Sequence, residues 1–294
     1  MIAILVYRAG SYFARVLPWK LPDFISWTIG QLCCLFRRGT RRVVEDNLDI
    51  IYGGSLTLKE RRRLSRRIIM NFSRAIRIFL ELPTYEWDEL RKKIDMSEFE
   101  AALAELGDQR SFLLASAHVG PYELGGLCLS QMGFKPHTAA LHHPSEQVTR
   151  FFDERRRSIG VVSYPMRRSY QKLRKALTEG DVVAILVDRA YGATARRFDF
   201  FGAKPLFPLG HLFLSAYTGV PILTVAFVFD GREGYKWVHG GIYHPPAEGT
   251  RDVEKLEAVQ RAILGDFEGF LRDYTDQWFQ FLPLIEPDGE NDGD

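Results

Sequence analysis

Two residues carry the clearest chemistry in this sequence: His118 and Glu123, five apart in the stretch His-Val-Gly-Pro-Tyr-Glu. An imidazole whose tautomer is fixed by a carboxylate is a general base. The acid stabilises imidazolium while the free ring nitrogen takes a proton. His118 ends an apolar run over residues 112–117, and parallel-sheet folds place ligands beyond the carboxyl end of such a strand. Gly120 and Pro121 then make a tight turn, Pro121 suits the first helical position, and Glu123 falls in the first helical turn, where a carboxylate is favoured. On a continuous helix, residues five apart diverge by about 140°. The pair therefore meets only if His118 stands on the strand-to-helix turn and Glu123 folds back onto the imidazole. The spacing by itself is weak, because 37 acidic residues in 294 give 7 histidines roughly one chance match.

Other catalytic engines are missing. The sequence contains no G-x-S-x-G elbow, no G-x-x-x-x-G-K-[ST] loop and no G-x-G-x-x-G fingerprint, which disfavours a serine acyl-enzyme or a nucleotide-driven reaction. His142 and His143 are adjacent but have no cysteine or carboxylate at ligand spacing, so they read as loop rather than metal site. No metal and no cofactor is expected. Three cysteines without a C-x-x-C pair cannot form a disulfide framework, which fits a reducing compartment.

The elements that must hold His118 in place follow from periodicity. Residues 41–47 and 58–82 read as helices, the second with Thr57 at its N-cap and Pro83 as its stop. Leu64, Ile68, Ile69, Phe72, Ile76, Phe79 and Leu80 recur there at helical spacing and make one face apolar. From residue 97 onward helices alternate with short apolar runs. Helices are expected at 98–106, after Pro121, and at 147–159, 169–179 and 208–218. Strands are expected at 111–117, 135–141, 161–164, 182–187 and 221–229. Fully apolar strands between helices imply an α/β fold with a largely parallel central sheet flanked by helices on both faces. The expected organisation is a helical, membrane-associating region at 1–85, an α/β domain at 86–285 and an acidic disordered tail at 286–294, where five of nine residues are acidic.

Charge is unevenly spread. Residues 1–82 hold 15 Lys/Arg against 6 Asp/Glu, a balance of +9 in a chain of net +2, so the remainder carries −7. A basic third of this kind calls for a polyanionic partner. Its longest charge-free stretch, residues 24–36, has 13 residues, short of the roughly 20 that span hydrocarbon. Trp19 and Trp27 flank the region and four arginines (37, 38, 41, 42) close it, the makeup of helices lying in the headgroup layer. No nucleic-acid-binding module or aromatic–basic interleaving appears. An anionic membrane is the expected partner, not nucleic acid.

The turn H-x-x-x-x-E resembles the H-x4-D signature of the lysophospholipid acyltransferase superfamily. Its glutamate form is similar to the late acyltransferases of lipid A biosynthesis (the lauroyl/myristoyl transferases) and to phosphatidylinositol mannoside acyltransferases. The resemblance spans roughly residues 25–282. It runs through RRVVEDNL at 41–48, LLASAHVGPYE at 113–123, RRSIG at 156–160 and LRKALTEG at 173–180. VDRAYG at 187–192, DFFGAKP at 199–205, TGVP at 218–221 and DQW at 276–278 continue it in the family's order. The family usually carries Asn-Trp before the glutamate and Gln after the aspartate, where this chain has Pro121-Tyr122 and Arg189. Those departures leave the acceptor open.

The resemblance implies a membrane-associated O-acyltransferase on the cytoplasmic face of the bacterial inner membrane, peripheral or monotopic. It would move a fatty acyl chain from an acyl-carrier-protein or coenzyme A thioester to a hydroxyl of a lipid A-type glycolipid precursor. Another amphiphile (a lysophospholipid, phosphatidylinositol mannoside or aminolipid) is the alternative acceptor. His118 and Glu123 are the expected catalytic pair. Arg156 would steady phosphate or developing negative charge, with Asp188 holding it in place. Arg168 and Arg189 are the weaker phosphate contacts, and Phe200–Phe201–Gly202 a loop beside the acyl channel.

Overall fold

The computed structural model describes residues 4, 7–12, 20–141, 143–190, 194–245 and 253–285. The acidic tail, Trp19, His142 and Tyr191–Gly192 of the VDRAYG block lie outside those residues. Helices α1 (Lys20–Phe36), α2 (Arg38–Ile51) and α3 (Leu58–Glu81) occupy the N-terminal third. A reciprocal capping box opens α3. The Glu60 N–H donates to the Thr57 hydroxyl and the Thr57 N–H to the Glu60 carboxylate, satisfying two otherwise orphaned donors. Pro83 stands just past its last residue, Glu81, in the turn Leu82–Thr84, and has no N–H with which to continue the helical ladder. Ile68, Ile69 and Phe79 are buried on its inner face, at about 1.5–3 kcal/mol for each side chain taken from water.

Alternating helices and strands follow: α4 (Trp87–Arg91), β1 (Ile94–Asp95), α5 (Ser97–Leu106), β2 (Leu113–Ser116), α6 (Tyr122–Gln131), β3 (Pro136–Ala140), α7 (Glu146–Ser158) and β4 (Val162–Pro165). Then come α8 (Tyr170–Thr178), β5 (Val182–Leu186), the short pair β6 (Arg196–Arg197) and β7 (Leu206–Phe207), α9 (Gly210–Thr218), β8 (Ile222–Asp230), β9 (Gly234–Tyr243) and α10 (Val253–Tyr274). Seven strands form one sheet in the order β1-β9-β8-β2-β5-β3-β4. Every neighbouring pair is parallel except the β8–β9 hairpin. The parallel sheet expected from the apolar runs is present. The antiparallel β9 and helix α10 have no counterpart in the reading of the sequence. β9 alternates aromatic and polar residues at an outer position, a weaker signal than the apolar runs of central strands.

Strand alternation sorts the core into two clusters. Leu114, Val182, Leu223 and Phe227 pack with α3, α5, α6 and α7, and Leu113, Val183, Ile222 and Ala226 with α8, α9 and α10. Val44, Leu48, Ile68 and Ile78 of the N-terminal helices belong to the first cluster. Asn47 of α2 ties down the chain end: its amide donates to the carbonyls of Gln280 and Leu282, and its carbonyl oxygen accepts from the Leu284 N–H.

Candidate active site

The turn between β2 and α6 is shaped by one glycine. Gly120 has φ +59°, and a Cβ there would stand 2.3 Å from the Phe227 carbonyl oxygen and 2.8 Å from the Val228 Cα. Only glycine lets the turn lie against β8. Residues 277–279 clamp the turn from outside. The Gly120 N–H donates to the Gln277 carbonyl (2.9 Å) and the Phe279 N–H to the His118 carbonyl (2.8 Å). The Gln277 amide in turn exchanges both its bonds with the backbone of Phe229. His118 is thus carried on a fixed shelf at the C-terminal edge of the sheet.

The carboxylate that reaches the imidazole comes from a different strand than expected. Asp188, just beyond β5, receives His118 Nδ1 on Oδ1 at 2.7 Å. Its Oδ2 accepts from the His118 N–H and from Trp278 Nε1, both at 2.9 Å. Gln280 Nε2 donates to the Asp188 carbonyl at 3.0 Å. Burial would raise this carboxyl. The neighbouring His118, both as charge and as hydrogen-bond donor, and the Arg189 charge hold it down to about 2. An ionised Asp188 keeps the imidazole proton on Nδ1 and leaves the Nε2 lone pair bare. His118 itself lines the cavity described below.

Glu123 does not fold back onto the imidazole. It forms a fork with Arg156 of α7, from Nη2 to Oε1 at 2.6 Å and from Nε to both oxygens at 3.1 and 3.2 Å. The expected partners are therefore exchanged: Asp188, thought to hold Arg156, holds His118, and Glu123, thought to hold His118, holds Arg156. The physical reason is direction. Glu123 in the first turn of α6 faces α7, whereas the end of β5, hydrogen-bonded beside β2, brings Asp188 under the turn. A planar guanidinium also matches a carboxylate in two parallel bonds, which an imidazole cannot.

The remaining candidates divide. Arg189 lines the cavity, its guanidinium held by Gln280 Oε1 and the Phe279 carbonyl. Arg168 lies exposed on the turn at Met166–Arg168 and is not among the cavity-lining residues, although Met166 is. Phe200 packs with Phe207 and Trp278 in the opposite core cluster, so the Phe-Phe pair is core rather than channel wall. Trp278 and Gln280 hold Asp188 in place and are residues that reasoning from sequence did not single out. The only signal for Trp278 was the DQW block, which carried no assigned role, and Gln280 lies two residues beyond it.

A cavity of about 550 Å³ opens beside His118, between α6 and the sheet. Small residues line part of it, Gly125 and Gly126 on the helix and Ser116, Thr138, Ala140 and Ala184 on the strands, with Phe72, Phe227 and Trp237 among the larger side chains around them. Its lining is predominantly apolar, and it meets the surface at the exposed Leu141 and Leu282. A His–Asp couple at the wall of a predominantly apolar cavity suits proton removal from a hydroxyl beside a bound alkyl chain.

Comparison with known proteins adds the family. The chain belongs to the bacterial lipid A biosynthesis acyltransferase family, which it matches over residues 2–285, and it is an acyltransferase acting on lipids. Among individual proteins it is similar to a phosphatidylinositol mannoside acyltransferase of Mycolicibacterium smegmatis (strain ATCC 700084 / mc(2)155). The two are 24% identical over 224 residues, 75% of this chain and 71% of that protein.

Proposed function

We propose that the protein transfers a fatty acyl chain from an acyl-carrier-protein or coenzyme A thioester to a hydroxyl of a lipid A-type glycolipid precursor. The observation that carries the reading is that His118 lines an apolar cavity while its Nδ1 is held by Asp188, which leaves Nε2 free to take a proton. The thioester's alkyl chain fills the cavity. His118 Nε2 takes the acceptor proton as the oxygen attacks the thioester carbonyl. The tetrahedral intermediate then expels the thiolate, which recovers the proton from imidazolium. The buried Asp188 stabilises the imidazolium in between. A thioester is already activated, so no covalent enzyme intermediate is needed. Arg156 and Arg189 supply positive charge for phosphate near the reaction centre.

A second reading keeps the mechanism and changes the acceptor to a mannoside hydroxyl, as the name of the mycobacterial relative suggests. Both readings place the protein on the cytoplasmic face of the inner membrane, peripheral or monotopic. Support comes from the exposed Phe24, Trp27, Leu32, Leu35 and Phe36 of α1, followed directly by the exposed Arg37 and Arg38. Among the described residues no helix is long and apolar enough to cross a membrane.

The test is mass spectrometry of lipids from a deletion strain against wild type, followed by assay of the purified protein with thioester donors. Loss of one acyl chain from a phosphorylated glycolipid is the expected result. An unchanged glycolipid with altered lysophospholipid or aminolipid acylation would overturn the acceptor. His118→Ala should lower turnover by about 10²–10⁴.

A further inference from the structure

Attack on the thioester carbonyl creates an oxyanion, and something must donate hydrogen bonds to it. The backbone of the active-site turn has little to offer. The N–H groups of His118, Val119, Gly120 and Tyr122 are committed to Asp188, Ala117, Gln277 and Gly120, and Pro121 has none. Side chains lining the cavity, with the N-terminal N–H groups of α6, must meet the charge. Arg156 is forked onto Glu123, and Arg189 is tied to the chain at 279–280. Tyr122 is different. Its ring stands edge-on to the His118 imidazole, centroids 5.4 Å apart at 78°, and it lines the same cavity. Its hydroxyl makes no hydrogen bond among the described residues.

We propose that the Tyr122 hydroxyl is the oxyanion donor of the acyl-transfer reaction, a catalytic residue that touches the thioester carbonyl oxygen. This rests on His118 being the base. The acceptor proton goes to His118 Nε2, the new C–O bond forms, and the carbonyl π electrons move to oxygen, which accepts a hydrogen bond from Tyr122 Oη–H. Collapse restores the carbonyl, breaks the C–S bond, and sends the proton from Nε2 to sulfur. Tyr122 keeps its proton throughout. Burial, reinforced by the negative charge of Glu123, pushes the phenol well above its usual range, so it donates at every working pH. The half-buried Tyr122 side chain leaves its hydroxyl open to the cavity, where its partner arrives with the transition state.

The experiment is Tyr122→Phe in the full-length membrane-bound enzyme, with turnover and KM for the thioester measured beside the melting temperature. The expected loss in kcat is about 10²-fold, the range for removing one oxyanion donor. KM should stay unchanged, and the melting temperature should equal or exceed wild type, because no bond is lost on folding. The pH profile should keep its acidic limb, since the base is untouched. A kcat within about threefold of wild type overturns the proposal, as does a loss carried by KM or a fall in melting temperature. His118→Ala separates the layers. An active His118→Ala enzyme sinks the base assignment itself, whereas an inactive one beside a fully active Tyr122→Phe sinks only the oxyanion role.

Discussion

Four side chains at the centre form two separate pairs, and their couplings should show it. Asp188→Asn should lower turnover by about 10²–10⁴ in a folded enzyme, because the amide can hold the wrong imidazole tautomer. Added to His118→Ala it should change little, since an orienting group has no role once the base is gone. Glu123→Gln and Arg156→Met should couple in melting temperature, because breaking one partner of a half-buried ion pair leaves the other charge uncompensated. Non-additivity in turnover between His118→Ala and Glu123→Gln, with Asp188→Asn near wild type, would restore the His–Glu couple. A second residue-scale effect lies far from the site. His211 of α9 is fully buried among the described residues with neither ring nitrogen hydrogen-bonded. Burial lowers it to about 4. Its ordinary value is about 6.5, so between those values the unfolded chain binds a proton that the folded protein refuses. Stability is therefore full above pH 6.5 and falls toward pH 4, by about 3 kcal/mol in all. Urea unfolding at pH 7, 5.5 and 4 should show this slope in wild type and lose much of it in His211→Leu. Equal slopes in the two proteins would show that other groups set the acid response.

At the scale of elements, helix α6 acts through what it lacks. A Cβ on Gly126 would stand 2.9 Å from the Val161 Cγ2, and one on Gly125 3.2 Å from the Trp237 ring. Both glycines face the cavity, so bulk there narrows the space between helix and sheet. Gly126→Val should shift acyl selection toward shorter chains, read as the chain-length profile of the product by mass spectrometry. An unchanged profile with normal folding would place the chain elsewhere. The turn before α6 is stricter. Gly120→Ala adds a positive-φ penalty of about 1–3 kcal/mol to a clash with the β8 backbone. It should lower the melting temperature and the turnover together, because His118 rides on the same turn.

For the whole molecule, the basic third and the reaction chemistry face one requirement, access to an amphiphile. The +9 balance of residues 1–82 and the exposed aromatic face of α1 should bind anionic vesicles in a salt-dependent way, since headgroup contacts weaken as the Debye length shrinks. Sedimentation with phosphatidylglycerol vesicles should fall steeply between 50 mM and 500 mM salt, and Phe36→Ser should weaken it further. Binding that resists both salt and alkaline carbonate would mean insertion rather than surface attachment. Asn47 links this region to the chemistry, because it anchors residues 280–284, whose neighbours Trp278 and Gln280 hold Asp188.

Whatever depends on local period and local chain chemistry could be read from the residues in order. The α3 helix with its Thr57 cap and Pro83 stop, the buried strands β2, β5 and β8, the turn carrying His118, and the basic bias of the first 82 residues all express interactions within a few positions. The family blocks added the reaction class. Pairing across the sheet was not legible. Asp188 is 70 residues from His118 and Arg156 is 33 from Glu123, and nothing in either neighbourhood states which carboxylate meets which base. Strand order decides it. β5 lies beside β2 and delivers Asp188 beneath the imidazole, while α7 packs so that Arg156 captures Glu123 first. The cavity is likewise a property of the assembled layers. Gly125, Gly126, Ala184 and Thr138 are ordinary small residues in the sequence, and only the packing of α6 over the sheet brings their missing volume to one cavity.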